Sequence, residues 1–591
     1  MKLKHLYMLG AVALMTASCN EDRFLDLKPQ GSLNEDIMTS TEGADLLVNA
    51  ALGGPEGQSW SVWCHPTSNW TYGEVRSDNA YKGGGGVGDL NEVHRMETFD
   101  MDATNGFLDS KWYHLYCSVQ RCNSALRVLN AATDEQVNGR VSRIAEMKVL
   151  RAHYYFELSR LFNKIPYFDE NVEISQYPDI PNNEFTRDEI LSMLAKEMLD
   201  AAEQLPASQP EVGRIHKYIA LAYAAKIKLY QAYQQDEITH AVTSINKELL
   251  REVVSLCDQV TASNRYGLLD DFQGLDLVTN ENGKESVFAI QYSMNDGTES
   301  AGRINWSNLL NSPGGGSPYG GDGFFLPSQD LINAYQTDAN GLPDFNYQSK
   351  SDYSWAVLNN GVYTLQNTTP NVDPRLDFVV GRPTITWKTY PDKPCEGWVR
   401  DKETYGYNCA KRFWVSPESS DMFNGWPWGA SQLNWQIIRY ADILLWKAEA
   451  LIELNEGNGL ETARDLINQI RNRARNSAYV KDFNDHSKYA ANYLVNPYPA
   501  DVWNQDYARQ ALRWETRLEK ALEGERFFDL VRWGIVETTM NKYITAESDN
   551  RIYYANAHFT GGKDEYYPVP NNQYGFSGGK YVQNPGYAPF N

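Results

Sequence analysis

No stretch of this 591-residue chain approaches 18 uninterrupted apolar residues, so the sequence contains no candidate transmembrane helix. The nine histidines form no HxxH or HExxH spacing, and the seven cysteines form no CxxC pair. A zinc clip is therefore unsupported, and the expectation is a chain with no metal and no cofactor. Positive charge is also short: 54 Lys and Arg stand against 76 Asp and Glu, a formal net charge of −22. Nucleic-acid binding and attachment through a polybasic surface both need a basic face, and both are disfavoured. The acidic excess itself reads as a solubility feature.

What the chain has in excess is aromatic side chains, at 13% of all residues. A core does not absorb so many, and exposed aromatics are candidate ligand surfaces. The N-terminus has the design of a secretory signal over residues 1–18. Lys2 and Lys4 precede a short apolar run from Leu6 to Met15, then the small residues Thr16, Ala17 and Ser18. Cleavage before Cys19 would remove both lysines and take the formal charge from −22 to −24. A cysteine directly after small residues is the acceptor arrangement of bacterial lipoproteins, although Thr16 stands where that motif has Leu. Cys19 is the expected lipidation site, and several acyl chains on it would anchor the protein firmly. Of the other cysteines, Cys395 and Cys409 flank a loop and could bridge in an exported chain.

Helical periodicity dominates two stretches. In "QIIRYADILLWKAEALIEL", Ile437, Ala441, Leu444, Ala448 and Leu451 recur at steps of four and three. "GLETARDLINQIRNRA" repeats the pattern after a short, Gly-containing join, which makes the two helices antiparallel neighbours. Similar pairs occupy about 107–131 with 143–162, and "RDEILSMLAKEMLDAAEQL" with "IHKYIALAYAAKIKLYQAY". A further helix is expected at about 247–261, and a helix, Gly joint and helix at "QDYARQALRWETRLEKALEGERFFDLVRWG". Repeated pairs predict a mainly α, tetratricopeptide-like scaffold over about 30–270 and 436–545. Between about 271 and 435 the chain turns rich in Gly, Pro, Asn, Trp and Tyr, with short strands expected at 285–293 and 376–381. A second loop-rich stretch lies at 53–91. Long loops on a rigid scaffold are where binding residues concentrate.

Several long motifs occur in one order: "CNEDRFLDLKP", "EMKVLRAHYYFELSRLFNKIPYF", "GRIHKYIALAYAAKIKLY", "DPRLDF", "IIRYADILLWKAEALIE", "RLEKALEGERFFDLVRWG", "YYPVPNNQ" and "QNPGY". On these the chain resembles the SusD/RagB family of surface nutrient-binding lipoproteins, from Cys19 to the C-terminus. The resemblance implies one domain over 19–591, with helix pairs and a looped region packed on them, and no catalysis. It implies capture of a glycan and delivery to a SusC-like TonB-dependent transporter, over which the protein closes as a lid. It places the protein at the cell surface, held in the outer membrane by lipid on Cys19, with Asn20, Glu21 and Asp22 as a surface-export tag.

A glycan site needs flat apolar faces for sugar C–H groups and planar polar groups for hydroxyls. "NWTYGEVRSDNAY" at 69–81 supplies both in one loop, making Asn69, Trp70, Tyr72, Asp78 and Asn79 the first candidates. Trp306 and Tyr319, around the Gly-rich segment 311–323, come second. Trp355 and Arg375 follow, although Arg375 with Asp373 also suits a structural turn. Glu519, Glu523 and Glu525 cluster at a helix–Gly–helix joint, where capping and packing explain them better than two-carboxylate hydrolysis. "TDANGLPD" at 337–344 lacks the full spacing of a calcium loop. The competing readings are a peptide-binding relative, a tetratricopeptide scaffold for a protein partner, and a surface hydrolase.

Overall fold

The computed structural model describes residues 39–54, 60–298, 302–353, 356–359, 362–365 and 370–590. The signal segment, Cys19 and the acidic residues after it lie outside the described residues, as does Trp355.

Among the described residues, nine helices form the scaffold. They are α1 (Thr41–Leu52), α2 (Gly106–Ala131), α3 (Arg140–Phe162), α4 (Arg187–Gln204), α5 (Lys217–Ala232), α6 (Lys247–Ala262), α7 (Tyr440–Leu454), α8 (Gly459–Asn476) and α9 (Gln505–Glu519). Each packs against the next, except that α9 touches both α7 and α8. The stack runs unbroken from α6 to α7 although about 180 residues separate them in sequence, so the insert leaves the scaffold and returns to the same place. This is tetratricopeptide-like stacking, as the periodicity predicted.

Local sequence sets the helix starts. Asn105 accepts from the Phe107 and Leu108 amides at the head of α2, Thr186 and Glu189 make a capping box on α4, and Asn246 and Asn504 cap α6 and α9. Helix α5 is buried on nearly every side, because α4 and α6 flank it; its run of alanines lets both approach closely.

Two further helices follow α9: α10 (Arg526–Arg532) and α11 (Val536–Ser548). Gly524, at φ +83°, turns the chain between α9 and α10. A Cβ on Gly524 would meet the Ser68 carbonyl at 1.9 Å, and one on Gly73 would meet the Gly524 carbonyl at 1.8 Å. The 68–75 turn is thus pressed directly onto the α9–α10 joint.

The strands are short. β1 (Ala80–Gly83) pairs antiparallel with β3 (Phe324–Pro327), and β2 (Ser286–Ile290) with β4 (Trp435–Arg439). The β2–β4 pair closes the insert where it leaves and rejoins the scaffold. It also corrects the expected start of α7: Ile437 lies in a strand, because Trp435 to Arg439 meets the β-rich "SVFAI" before the helix begins at Tyr440. The strand expected at 376–381 is mostly a helical turn, Arg375–Val379, with only Val380–Gly381 extended against Cys409–Ala410. Cys395 is exposed and Cys409 buried, and both are free thiols. Among the described residues no helix is long and apolar enough to cross a membrane.

Candidate functional site

The first predicted loop is interior. Trp70 is 0% exposed and packs against Phe324 and Phe325, at ring-centroid distances of 6.3 and 5.8 Å. The Tyr72 hydroxyl donates to the Cys64 carbonyl at 2.7 Å. Asn69 donates to Glu157 at 2.8 Å. Asp78 takes both arms of Arg526, at 2.8 and 2.9 Å, and Asn79 donates to Glu74 while accepting from Arg517. All five candidates are therefore buried in contacts within the protein, Asp78 and Asn79 with α9 and α10, Asn69 with α3, Trp70 with β3 and Tyr72 with the Cys64 carbonyl. Planar polar groups and aromatic rings suit a buried segment as well as they suit a sugar, and here burial won, although Trp70 Nε1 and Asn69 Oδ1 stay without a partner.

Arg375 is buried too. It pairs with Asp373 at 2.7 Å, Glu515 at 2.7 Å and Glu519 at 3.2 Å. Two of the clustered carboxylates belong to the same network: Arg439 reaches Glu285, Glu519 and Glu523, and Arg473 bonds Glu285 and Glu519, whereas Glu525 pairs with Arg160 and Lys226. Burial alone would raise the Glu519 pKa, but Arg473, Arg439 and Arg375 outweigh it and bring it down to about 2. A carboxylate so held neither donates a proton nor has a free face, and its work is structural. In the 337–344 loop, Asp338 bonds its own backbone through the Asn340 and Leu342 amides. Among the described residues no group of three or more His, Cys, Asp or Glu is placed to hold a metal.

Tyr319 is also structural, with its hydroxyl donating to the Val415 carbonyl at 2.7 Å and accepting from Trp387 Nε1 at 2.9 Å. Trp306 is different. It is 7% exposed and belongs to a small apolar cluster with Val62, Ile304, Leu309 and Ala430, separate from the main core. Above it lies a loop that the candidate list missed, "NGWPWG" at 424–429. Trp426 is 48% exposed and Trp428 44%, among the few large aromatics left at the surface. Trp426 meets Trp306 edge to face at 5.8 Å. The Trp426–Pro427 peptide is cis. Phe423 N–H donating to Ala430 O at 2.8 Å closes the loop, and Asn305 ties it down through Ser431 O and Leu433 O. A Cβ on Gly429 would stand 2.7 Å from Ser312 Cβ, so the loop lies flat on the Gly-rich segment. Beside Trp306, the buried amides of Asn308 and Asn311 have no side-chain hydrogen-bond partner. The signal for this site was in the sequence: two tryptophans around a proline inside a glycine turn cannot all be packed inward.

The chain just before this loop, from Trp414 to Asp421, lines an open cleft of about 980 Å³, whose walls also include Asp276, Lys388 and Lys411. Lys388 pairs with Asp276 at 3.1 Å. Lys411 donates to the carbonyls of Asp377 and Thr386 at 2.8 and 3.0 Å, and burial takes its pKa down to about 7.

A tetratricopeptide-like stack interrupted by a long insert that carries an aromatic platform and a cleft defines a class of helical-repeat proteins with an appended loop module. The comparisons with known proteins narrow this. The model of the SusD family matches residues 284–587, and a model described as starch-binding, associating with outer membrane, matches residues 23–229. The chain belongs to the SusD family. A SusD-like protein of Bacteroides ovatus is 22% identical over 549 residues, covering 89% of this chain and 82% of the relative. A SusD homologue of Bacteroides thetaiotaomicron superposes with a TM-score of 0.67 at 17% identity, over 94% of this chain and 98% of that one. Surface glycan-binding protein A from Bacteroides thetaiotaomicron, solved with laminarihexaose, superposes with a TM-score of 0.63 at 19% identity, over 92% and 99%.

Proposed function

We propose that this protein captures oligosaccharides at the cell surface without cleaving them and delivers them to a TonB-dependent outer-membrane transporter. Lipid on Cys19 holds it in the outer membrane. Family membership and the outer-membrane, starch-binding description of the matching model support this reading, as does a similar fold crystallised with laminarihexaose. The observation that carries it is the exposed Trp426–Trp428 pair braced by Trp306. Flat indole faces fixed on a tied-down loop suit the C–H faces of a sugar chain and lose little entropy on binding. The platform takes over the role expected of Trp70 and its neighbours.

Titration calorimetry with laminarin oligosaccharides and a wider neutral glycan panel tests this. Binding without release of shorter products, weakened by Trp426→Ala, supports the reading. Binding of peptides but no glycan, or turnover of the bound glycan, overturns it.

A further inference from the structure

The cleft beside the tryptophan loop has an unbalanced floor. Lys388 on the cleft wall shares the carboxylate of Asp276 with Arg412 behind it, and Lys411 stands beside Lys388. Arg412 shares Asp276 with Lys388 and also reaches Glu523, which Arg439 and Lys520 already neutralise. Among the described residues no carboxylate lies within ion-pair distance of Lys411; the Asp377 side chain is taken by Arg382 and Tyr493, so only main-chain oxygens face the Lys411 ammonium. Trp414 lines the same cleft, is buried, and has an indole N–H with no partner. A buried donor without an acceptor is costly, and the Trp414 N–H on this wall marks a place for an acceptor group from outside.

The acids of the rim are committed elsewhere. Asp271 accepts from the Gln273 and Ala478 amides, Asp421 from Gln432 and Ser419, Glu418 from Ser416, and Asp270 from Lys284. What the cleft leaves unspent is donor capacity and positive charge at the floor, inside an acidic rim that opposes dense polyanions. A group with one charge and two acceptor oxygens fits both conditions.

We propose that this cleft binds the carboxylate of an acidic sugar residue, with Lys411, Lys388 and the Trp414 N–H as its donors. The inference rests on the glycan-binding reading and adds a charge preference to it. An oligosaccharide resting on Trp426 and Trp428 would place an acidic unit in the cleft along the shared 416–431 segment.

The test compares trigalacturonate with its methyl ester, which has the same shape and no charge, and includes free acetate to separate the sugar acid from a bare carboxylate. The wild-type protein is expected to prefer the acid at least tenfold. Lys411→Met and Lys388→Met are expected to abolish that preference, and Lys411→Arg to retain most of it; melting temperatures identify any variant that fails to fold. Lys388, which is partly exposed, keeps the test open if Lys411→Met does not fold. Equal affinity for acid and ester, or a preference unchanged in the methionine variants, overturns the inference, as does acetate binding as tightly as the trimer. Neutral glycans binding while the acid does not overturns it alone; no glycan binding at all overturns the glycan reading with it.

Discussion

Segments 69–83 and 302–431 have similar compositions and opposite fates. Both are rich in Trp, Asn, Tyr and Gly, and both read as ligand loops. The first is threaded between β3 and the α9–α10 joint, and its polar groups meet partners more than 400 residues away: Arg517 and Arg526 for Asp78, Arg517 for Asn79. The second gives most of its buried side chains to the main core, but Ile304, Trp306, Leu309 and Ala430 form a small separate apolar cluster, and two indoles are left in solvent. Composition marks where aromatic and planar groups concentrate. It does not say whether a distant arginine will claim them.

That contrast can be broken by substitution. The largest effect belongs to the buried segment. Trp70→Ala should cost about 3–5 kcal/mol of stability through the cavity it leaves. Arg517→Met should cost a similar amount, about 3–5 kcal/mol, because it leaves the buried Asp330 carboxylate without its cation. Urea unfolding checks both. A shift well under 1 kcal/mol would show that the buried segment does not support the fold.

The tryptophan loop should behave oppositely. Trp426→Ala and Trp428→Ala should each lose about 1 kcal/mol of glycan binding, roughly fivefold in affinity, with melting temperatures close to wild type. Calorimetry beside a thermal melt separates the two quantities.

The smallest effect sharpens the account of the buried side. Glu74 is buried, and burial raises its carboxyl pKa from the ordinary 4.5 to about 8, although the Asn79 and Gly524 hydrogen bonds pull the other way. A carboxyl raised on folding contributes stability that is fully present below pH 4.5 and is lost as pH rises through about 8. Glu74→Gln is neutral at every pH, so its stability should fall less than that of wild type between pH 5 and 9. Parallel curves in a pH series of melts would contradict the assignment.

The scaffold was legible in the sequence because its signal is local. Apolar residues at steps of three and four, with Asn and Thr at the starts, specify α2 to α9 within a residue or a few, and the short joins specify their neighbours. Ile437 was misread because its spacing fits the helix that follows, while its pairing to β2 depends on residues about 150 positions earlier. "LDFVVG" was misread because Val-rich hexapeptides suit a strand wherever a partner exists, and here the partner, Cys409–Ala410, offers only two residues. The site was legible only as a region. Trp306, singled out because it stands just before the Gly-rich segment, lies under the loop and meets Trp426 edge to face. Trp426 and Trp428 were identifiable from "NGWPWG" alone, but their exposure depends on Ser312 and Ala430 supporting the loop from below.

The central claim is that the exposed tryptophan loop binds the glycan and the buried 69–81 segment does not. It is tested most directly by measuring glycan affinity for the Trp426→Ala/Trp428→Ala double variant beside Trp70→Phe, a milder change that keeps an aromatic ring in the buried site. The expected result is a loss of about thirtyfold in the double variant, if the two rings act additively, and unchanged affinity in Trp70→Phe. Unchanged affinity in the double variant, with a large loss in a folded Trp70→Phe protein, would contradict the account.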